Sequence, residues 1–207
     1  PSRGWKRARF NQPWYIGDTI PVGIGQSYWT TTPVQLNTSV NTLINAGERY
    51  IPQIIRGYMN TDGSVDLIPL KSLRPIEIKN RKNLDVVLNA MRDVVSGEEG
   101  GARHAFADTP YDSAGKTGTA QLFTVGQNEK YDATKIDERL RDNAMYVGFA
   151  PFNDPEISVT VVLENVGGGS KNAAPVARQI MDFYFRDRVF EPVVADTANS
   201  DNELGTN

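Results

Sequence analysis

The chain has 207 residues, of which 39% are apolar and 23% charged, with a formal net charge of −3, one histidine and no cysteine. That length is enough to bury a real core, and the acidic balance gives no support for a nucleic-acid partner, which clustered Lys and Arg would announce. The missing cysteines exclude a disulfide framework and a thiol nucleophile, and no run approaches the ~18 apolar residues of a membrane span. The basic cluster Arg3, Lys6, Arg7 and Arg9 is interleaved with Trp5 and Phe10 and reads as a solvated stretch. Because it opens at Pro1 with neither an initiator Met nor a signal peptide, the chain reads as a piece of a longer protein.

Residues 1–31 are rich in Gly, Pro and aromatic side chains with little periodicity, which predicts an ordered but irregular segment. Its cluster of Trp5, Trp14, Tyr15 and Trp29 reads as packing and not as a sugar platform. Thr32-Pro33-Val34-Gln35 then starts a helix: Thr32 caps it, Pro33 suits the first helical position, and Gln35 completes a capping box. Leu36, Val40, Leu43 and Ile44 recur at helical spacing, and Gly47 stops the run. Tyr50 to Arg56 reads as a strand interrupted by Pro52, and Asp62-Gly63 marks a hairpin turn or a surface excursion.

A second helix carries Leu84, Val87, Leu88, Met91, Val94 and Val95 and ends at Gly97. The last third is strand-rich. Ser113 to Phe123 reads as one strand, whose glycines leave little side chain to pack. Met145, Val147 and Phe149 alternate with Tyr146 and Gly148, and Ile157 to Leu163 alternates likewise, which predicts an antiparallel hairpin with one half-buried face. After Gly167-Gly168-Gly169 a final helix runs from about Ala173 to Phe185, with Val176, Ile180 and Tyr184 on one side. The tail, residues 191–207, is polar and acidic and reads as disordered. The fold class expected is α+β: an antiparallel sheet flanked by helices.

The run that carries chemistry is Lys116-Thr117-Gly118-Thr119. A strand beside a cleft offers backbone N–H groups at fixed spacing, a cation from Lys116 and a hydroxyl from Thr117, while Gly118 lets a ligand approach the backbone. That set suits a substrate with a terminal carboxylate next to a carbonyl that must become an oxyanion. A donor held against a developing oxyanion lowers the barrier by about 3–4 kcal/mol. Three letters alone are a weak signal, since Lys-Thr-Gly also occurs in solvated turns.

Context strengthens it. Lys-Thr-Gly, with Ser-x-x-Lys and Ser-Asp-Asn, is the signature of penicillin-binding proteins and class A β-lactamases. Here it stands about 25 residues before a hairpin that is followed by a last helix. Trp14 to Gln26, Thr32-Pro33-Val34-Gln35, Lys116 to Gln121, Glu138 to Asp142 and Phe149 to Asn153 together resemble the class B penicillin-binding proteins, in particular their elongation-specific penicillin-binding protein 2 group. The likeness covers roughly residues 1–185. It implies the penicillin-binding transpeptidase and serine β-lactamase-like fold, with residues 1–190 as the carboxy-terminal portion of a transpeptidase domain.

The resemblance also implies roles. Lys116 joins the catalytic network on the strand lining the cleft, and Thr117 binds the carboxylate of a D-Ala-D-Ala stem pentapeptide or of a β-lactam. Gly118 leaves room for the ligand, and the Thr119 backbone N–H is one oxyanion donor. The family's acylated serine and base lysine, in Ser-x-x-Lys, and its Ser-x-Asn are expected upstream of Pro1, in the other half of the same domain. Family properties further imply the periplasmic face of the inner membrane, an elongation-complex glycosyltransferase as partner, and no cofactor or metal. A purely structural fragment, or a hydrolytic carboxypeptidase or β-lactamase, are the alternatives.

Two matches are decoys. Ser113-Ala114-Gly115-Lys116 fits Ser-x-x-Lys, but residues three apart on a strand face opposite ways. Ser39-Val40-Asn41 fits Ser-x-Asn but lies inside the capped helix. His104 reads as a loop residue near the cleft. Gly167 to Lys171 is similar to a phosphate loop without its spacing, and so reads as a strand-to-helix connection. The charged run Lys130 to Asp142 reads as solvated, with a substrate-facing role as its alternative.

Overall fold

The computed structural model of the chain describes residues 1–122, 132 and 136–190. The predicted acidic tail, the end of the motif strand at Phe123 and most of the charged run between Lys130 and Lys135 lie outside them.

The first residues are helical, where an irregular segment was expected. Helix α1 (Arg3–Phe10) is capped by Ser2, whose hydroxyl accepts from the Trp5 N–H at 3.1 Å, and closes on Asn11 in the left-handed region at φ 52°. Helix α2 (Ile16–Gly23) opens with the Asp18 carboxylate accepting the Tyr15 N–H at 2.7 Å. Eight residues complete barely two turns, and the apolar Ile16 and Ile20 of α2 face outward, so that helix offers no apolar stripe to a core.

Helix α3 (Pro33–Ile44) follows the predicted code. The Gln35 N–H donates to Thr32 Oγ1 at 3.2 Å, and the Thr32 N–H donates to Gln35 Oε1 at 2.9 Å. Gly47 follows at φ +98°, against the Ile76 carbonyl. The strand expected to run to Arg56 stops early: β1 (Arg49–Tyr50) ends before Pro52, which has no N–H to donate. The Asp62-Gly63 turn closes the expected hairpin between β2 (Gly57–Met59) and β3 (Val65–Leu67), with Gly63 at φ +83°, and β4 (Ser72–Leu73) returns to pair with β1. Helix α4 (Arg81–Ser96) is capped by Asn80 and buries Leu84, Met91 and Val95; Gly97 ends it.

The central sheet has the order β5-β6-β7, all antiparallel, from β5 (Ala114–Ala120), β6 (Asn143–Ala150) and β7 (Ile157–Leu163). One half-buried face was expected, but both faces are covered. Ala144, Tyr146, Val159 and Val161 lie under helix α5 (Gly169–Phe185), with Ala102 and Phe106 from the loop after α4. Ala114, Val147 and Phe149 lie against Val40 of α3 and Met91 of α4. Tyr146 is fully buried because Gly115 and Gly148 vacate its space: a Cβ on either would stand 2.2 or 2.7 Å from its hydroxyl.

Of the apolar side the sequence offers on helix α5, only Val176 packs against the core. Ala173, Ala177, Met181 and Phe185 are buried, while Ile180 and Tyr184 are exposed. The reason is distance. A Cβ on Gly169 would lie 2.3 Å from the carbonyl oxygens of both Gly118 and Met145, so the helix start touches the sheet backbone and only small residues fit there. Farther along, the Tyr111 hydroxyl donates to Asp182 at 2.7 Å, and Arg178 bridges Asp182 and the Ala105 and Ala107 carbonyls. Gly169→Ala is therefore expected to destabilise by about 1–3 kcal/mol, the usual cost of overpacking, read as a lower thermal-unfolding midpoint. Gly168→Ala, with nothing within 4 Å of the added methyl, is expected to leave it unchanged.

Candidate active site

Strand β5 is paired with β6 along one edge in unbroken register, Lys116 opposite Val147, Thr117 opposite Tyr146, Gly118 opposite Met145 and Thr119 opposite Ala144. Its other edge meets a side chain. Gln26 Nε2 donates to the Thr119 carbonyl at 2.7 Å, and the Gln121 N–H donates to Gln26 Oε1 at 3.4 Å. In a strand, the N–H and C=O of one residue point to the same edge and those of its neighbour to the other. The Thr119 N–H is thus directed at the open edge, as are the backbone groups of Thr117. There Lys116 Nζ donates to the Thr117 carbonyl at 2.7 Å.

The structure therefore brings the Lys116 ammonium and the Thr119 N–H to one open edge beside Gly118. The Thr117 side chain lies on the α5 face of the sheet. Its hydroxyl and that of Ser170 both border Gly101, where an added Cβ would stand 3.5 and 3.4 Å from them. Gly101 belongs to the loop after α4, so this loop, the motif strand and the first turn of α5 converge on one spot.

The decoys stay apart. Ser113 is 2% exposed and buried beneath the sheet, whereas Lys116 is exposed. The Ser39 hydroxyl donates to the Leu36 carbonyl, Asn41 donates to Asn37, and Val40 between them sits in the core. His104 is an exposed residue of the loop turn, and Gly167 to Lys171 joins β7 to α5. Among the described residues no group of three or more acidic, His or Cys side chains is gathered as a metal site. The described end of the charged run makes a 3-10 turn, Glu138–Leu140, tied down by Asn165 Nδ2 donating to the Arg139 carbonyl at 2.7 Å. Asp142 is buried, not solvated, and burial raises its carboxyl pKa.

The amino-terminal helices brace the edge. Trp5, Phe10 and Trp14 pack around Tyr28, whereas Trp29 is half exposed, with its indole N–H donating to the Val22 carbonyl at 2.6 Å, and Tyr15 is also exposed. Lys6, read from the sequence as solvated, is 2% exposed and pairs with Asp18 Oδ2 at 2.5 Å. The Tyr15 and Tyr28 rings lie against its ammonium, with centroids 4.7 and 5.5 Å away. The hydrogen bond to Asp18 raises the Lys6 pKa; the hydrogen bond from Lys6, then that from the Tyr15 N–H, lowers the Asp18 pKa. Gln26 itself entered the sequence reading only within the resemblance. Its contact spans 93 positions and leaves no local signal.

The fold and the motif strand at its edge define a class: residues 6–182 match the penicillin binding protein transpeptidase domain, and the chain belongs to that family. It is 42% identical over 192 residues to the peptidoglycan D,D-transpeptidase MrdA of Haemophilus influenzae, covering 91% of this chain and 29% of that protein. Against MrdA of Escherichia coli K12 the identity is 41% over 184 residues, covering 88% and 28%. Among solved structures, Pseudomonas aeruginosa PBP2 superposes with a TM-score of 0.73 at 37% identity, over 95% of this chain and 40% of that one. Helicobacter pylori PBP2, solved as a complex with MreC, gives 0.69 at 26%, over 90% and 31%. The chain thus spans about three-tenths of the curated relatives' length. No described helix is long and apolar enough to cross a membrane.

The Lys6–Asp18 pair sets a pH response. With its native pKa depressed, Asp18 contributes fully above the unfolded value of about 3.9 and loses that contribution as pH falls through the native pKa. Lys6, raised, contributes fully below about 10.4 and loses it as pH rises through its native pKa. All three tryptophans, Trp5, Trp14 and Trp29, lie in this segment. Their emission is expected to stay flat from about pH 5 to 9. Asp18→Asn is expected to shift it to the red at neutral pH, where the exposed Asp154→Asn does not.

Proposed function

We propose that this chain is the carboxy-terminal portion of the transpeptidase domain of a peptidoglycan D,D-transpeptidase. The observation that carries the reading is the open edge of β5, where a Lys ammonium and a backbone N–H stand side by side next to a glycine. In the proposed reaction a serine hydroxyl attacks the carbonyl of the penultimate D-Ala of a stem pentapeptide. The amide bond breaks, terminal D-Ala leaves with a proton, and the acyl-serine ester is then taken by an amine of a neighbouring strand. Thr119 N–H donates to the oxyanion of each tetrahedral intermediate. Lys116 supplies positive charge to the site and keeps its hydrogen-bond network in place, and the Thr117 hydroxyl receives the substrate carboxylate, with Gly118 giving it room. A β-lactam fills the same place because it too sets a carboxylate beside a strained carbonyl.

The serine and its base lysine belong, in this reading, to residues outside these 207, in the other half of the domain. Residues 191–207 form an acidic tail beyond it. The site is on the periplasmic face of the inner membrane, and a membrane glycosyltransferase of the elongation complex is the partner that supplies uncross-linked strands. The complex of Helicobacter pylori PBP2 with MreC supports protein partners for such a chain.

Labelling with a fluorescent penicillin tests this. The complete parent protein is expected to take one label, and the 207-residue chain none. Lys116→Ala is expected to slow labelling by about 10²-fold or more, on the scale of removing a charge-stabilising group; Thr117→Val acts mainly on affinity, and Ser113→Ala changes nothing. A parent protein that never labels, or label found on Ser113, overturns the reading.

A further inference from the structure

We propose that Gln26 is a positioning residue for the oxyanion donor: its side-chain amide serves as a one-residue strand partner that fixes the direction of the Thr119 N–H. The inference rests on the function proposed above and goes beyond it to a residue outside the motif.

The geometry is specific. A primary amide presents a donor and an acceptor at the spacing of a peptide group, and Gln26 uses both on alternate residues of one edge, donating to the Thr119 carbonyl at 2.7 Å and accepting from the Gln121 N–H at 3.4 Å. A pairing strand would use the same two groups. On the opposite edge Gly118 and Ala120 are held against Met145 and Asn143 of β6. Thr119 is therefore anchored through both neighbours and through its own carbonyl, and its N–H is the group left aimed along the open edge.

The turn that carries Gln26 is itself well defined. Its backbone N–H donates to the Pro21 carbonyl at 2.8 Å, and its neighbours Gly25 and Ser27 both adopt left-handed backbone, at φ +79° and +62°. The helix behind it is pinned by Asp18 to Lys6. Docking to the strand still costs the side chain its rotamer freedom, but the turn fixes the backbone position from which the amide reaches the edge. A donor turned away from its target by a fraction of an ångström loses part of its stabilisation of the transition state while leaving ground-state binding nearly intact.

The test uses the complete parent protein and stopped-flow acylation by a penicillin, separating the acylation rate constant from the dissociation constant of the non-covalent complex. Gln26→Ala is expected to lower the acylation rate constant about 5- to 50-fold, short of the ~10²–10³ of losing an oxyanion donor outright. The dissociation constant stays within about two-fold and the final stoichiometry stays at one label per chain. That stoichiometry separates a slowed site from a misfolded fraction, which a purely structural role would produce. Gln26→Glu keeps the shape but presents a carboxylate to the Thr119 carbonyl. Its deficit relative to the unaltered protein is expected to shrink as pH falls toward ~4.3, where protonation restores a donor. Acylation rate constants unchanged within two-fold in both variants, or a loss confined to the dissociation constant or the stoichiometry, overturn the inference and leave the transpeptidase reading standing. Failure of the unaltered parent to label overturns both.

Discussion

Among the described residues, strand β5 is zipped to β6 along one edge and has no strand partner along the other, and the rest of the molecule is arranged around that asymmetry. Bare strand edges invite another chain to pair, yet only a bare edge can present backbone donors to a ligand. Among the described residues the conflict is resolved without an added strand. Gln26 closes the end of the edge, Lys116 reaches back to the Thr117 carbonyl, and the stretch between them stays open.

An edge strand with two glycines, Gly115 and Gly118, cannot hold its place by its own side chains, since each glycine in a strand costs about 0.5–1 kcal/mol relative to alanine. The faces supply what the edge lacks. Gly115 and Gly148 admit the whole phenol ring of Tyr146, which stacks on Phe106 at 5.4 Å, and Gly169 brings α5 onto the backbone of Gly118 itself. The Tyr146 hydroxyl is buried with no hydrogen-bond partner among the described residues, and burial raises its pKa. Such a group costs about 1–3 kcal/mol, so packing beneath the motif has been kept at the expense of polar satisfaction.

The amino-terminal helices contribute no buried side chain to the central core, and their one buried side chain, Lys6, lies outside it. Their cohesion is electrostatic and aromatic: an ammonium clasped by a carboxylate and two tyrosine rings. Such a brace is stiff where the charges meet and cheap in buried apolar area, which fits a segment whose task is to deliver Gln26 to the strand edge.

Features set by neighbours in the chain were legible in the sequence. The Thr32–Gln35 capping box, the stop at Gly97, the Asp62-Gly63 turn and the alternation of the last two strands each rest on hydrogen bonds or conformational limits within a few residues. The Lys116 to Thr119 run was legible too, because its chemistry lies in residue type and order. What pairs with it was not. That Lys6 is buried, that both faces of β6 are covered, that α5 turns its alanines inward, and that a glutamine 93 positions away fastens the Thr119 carbonyl are set by contacts between distant elements. The sequence alone determined the local elements and the reactive strand. Only the tertiary structure decided which edge of that strand stays open and what aims its donor, because backbone direction within a sheet is fixed by the partners on either side and not by the strand's own residues.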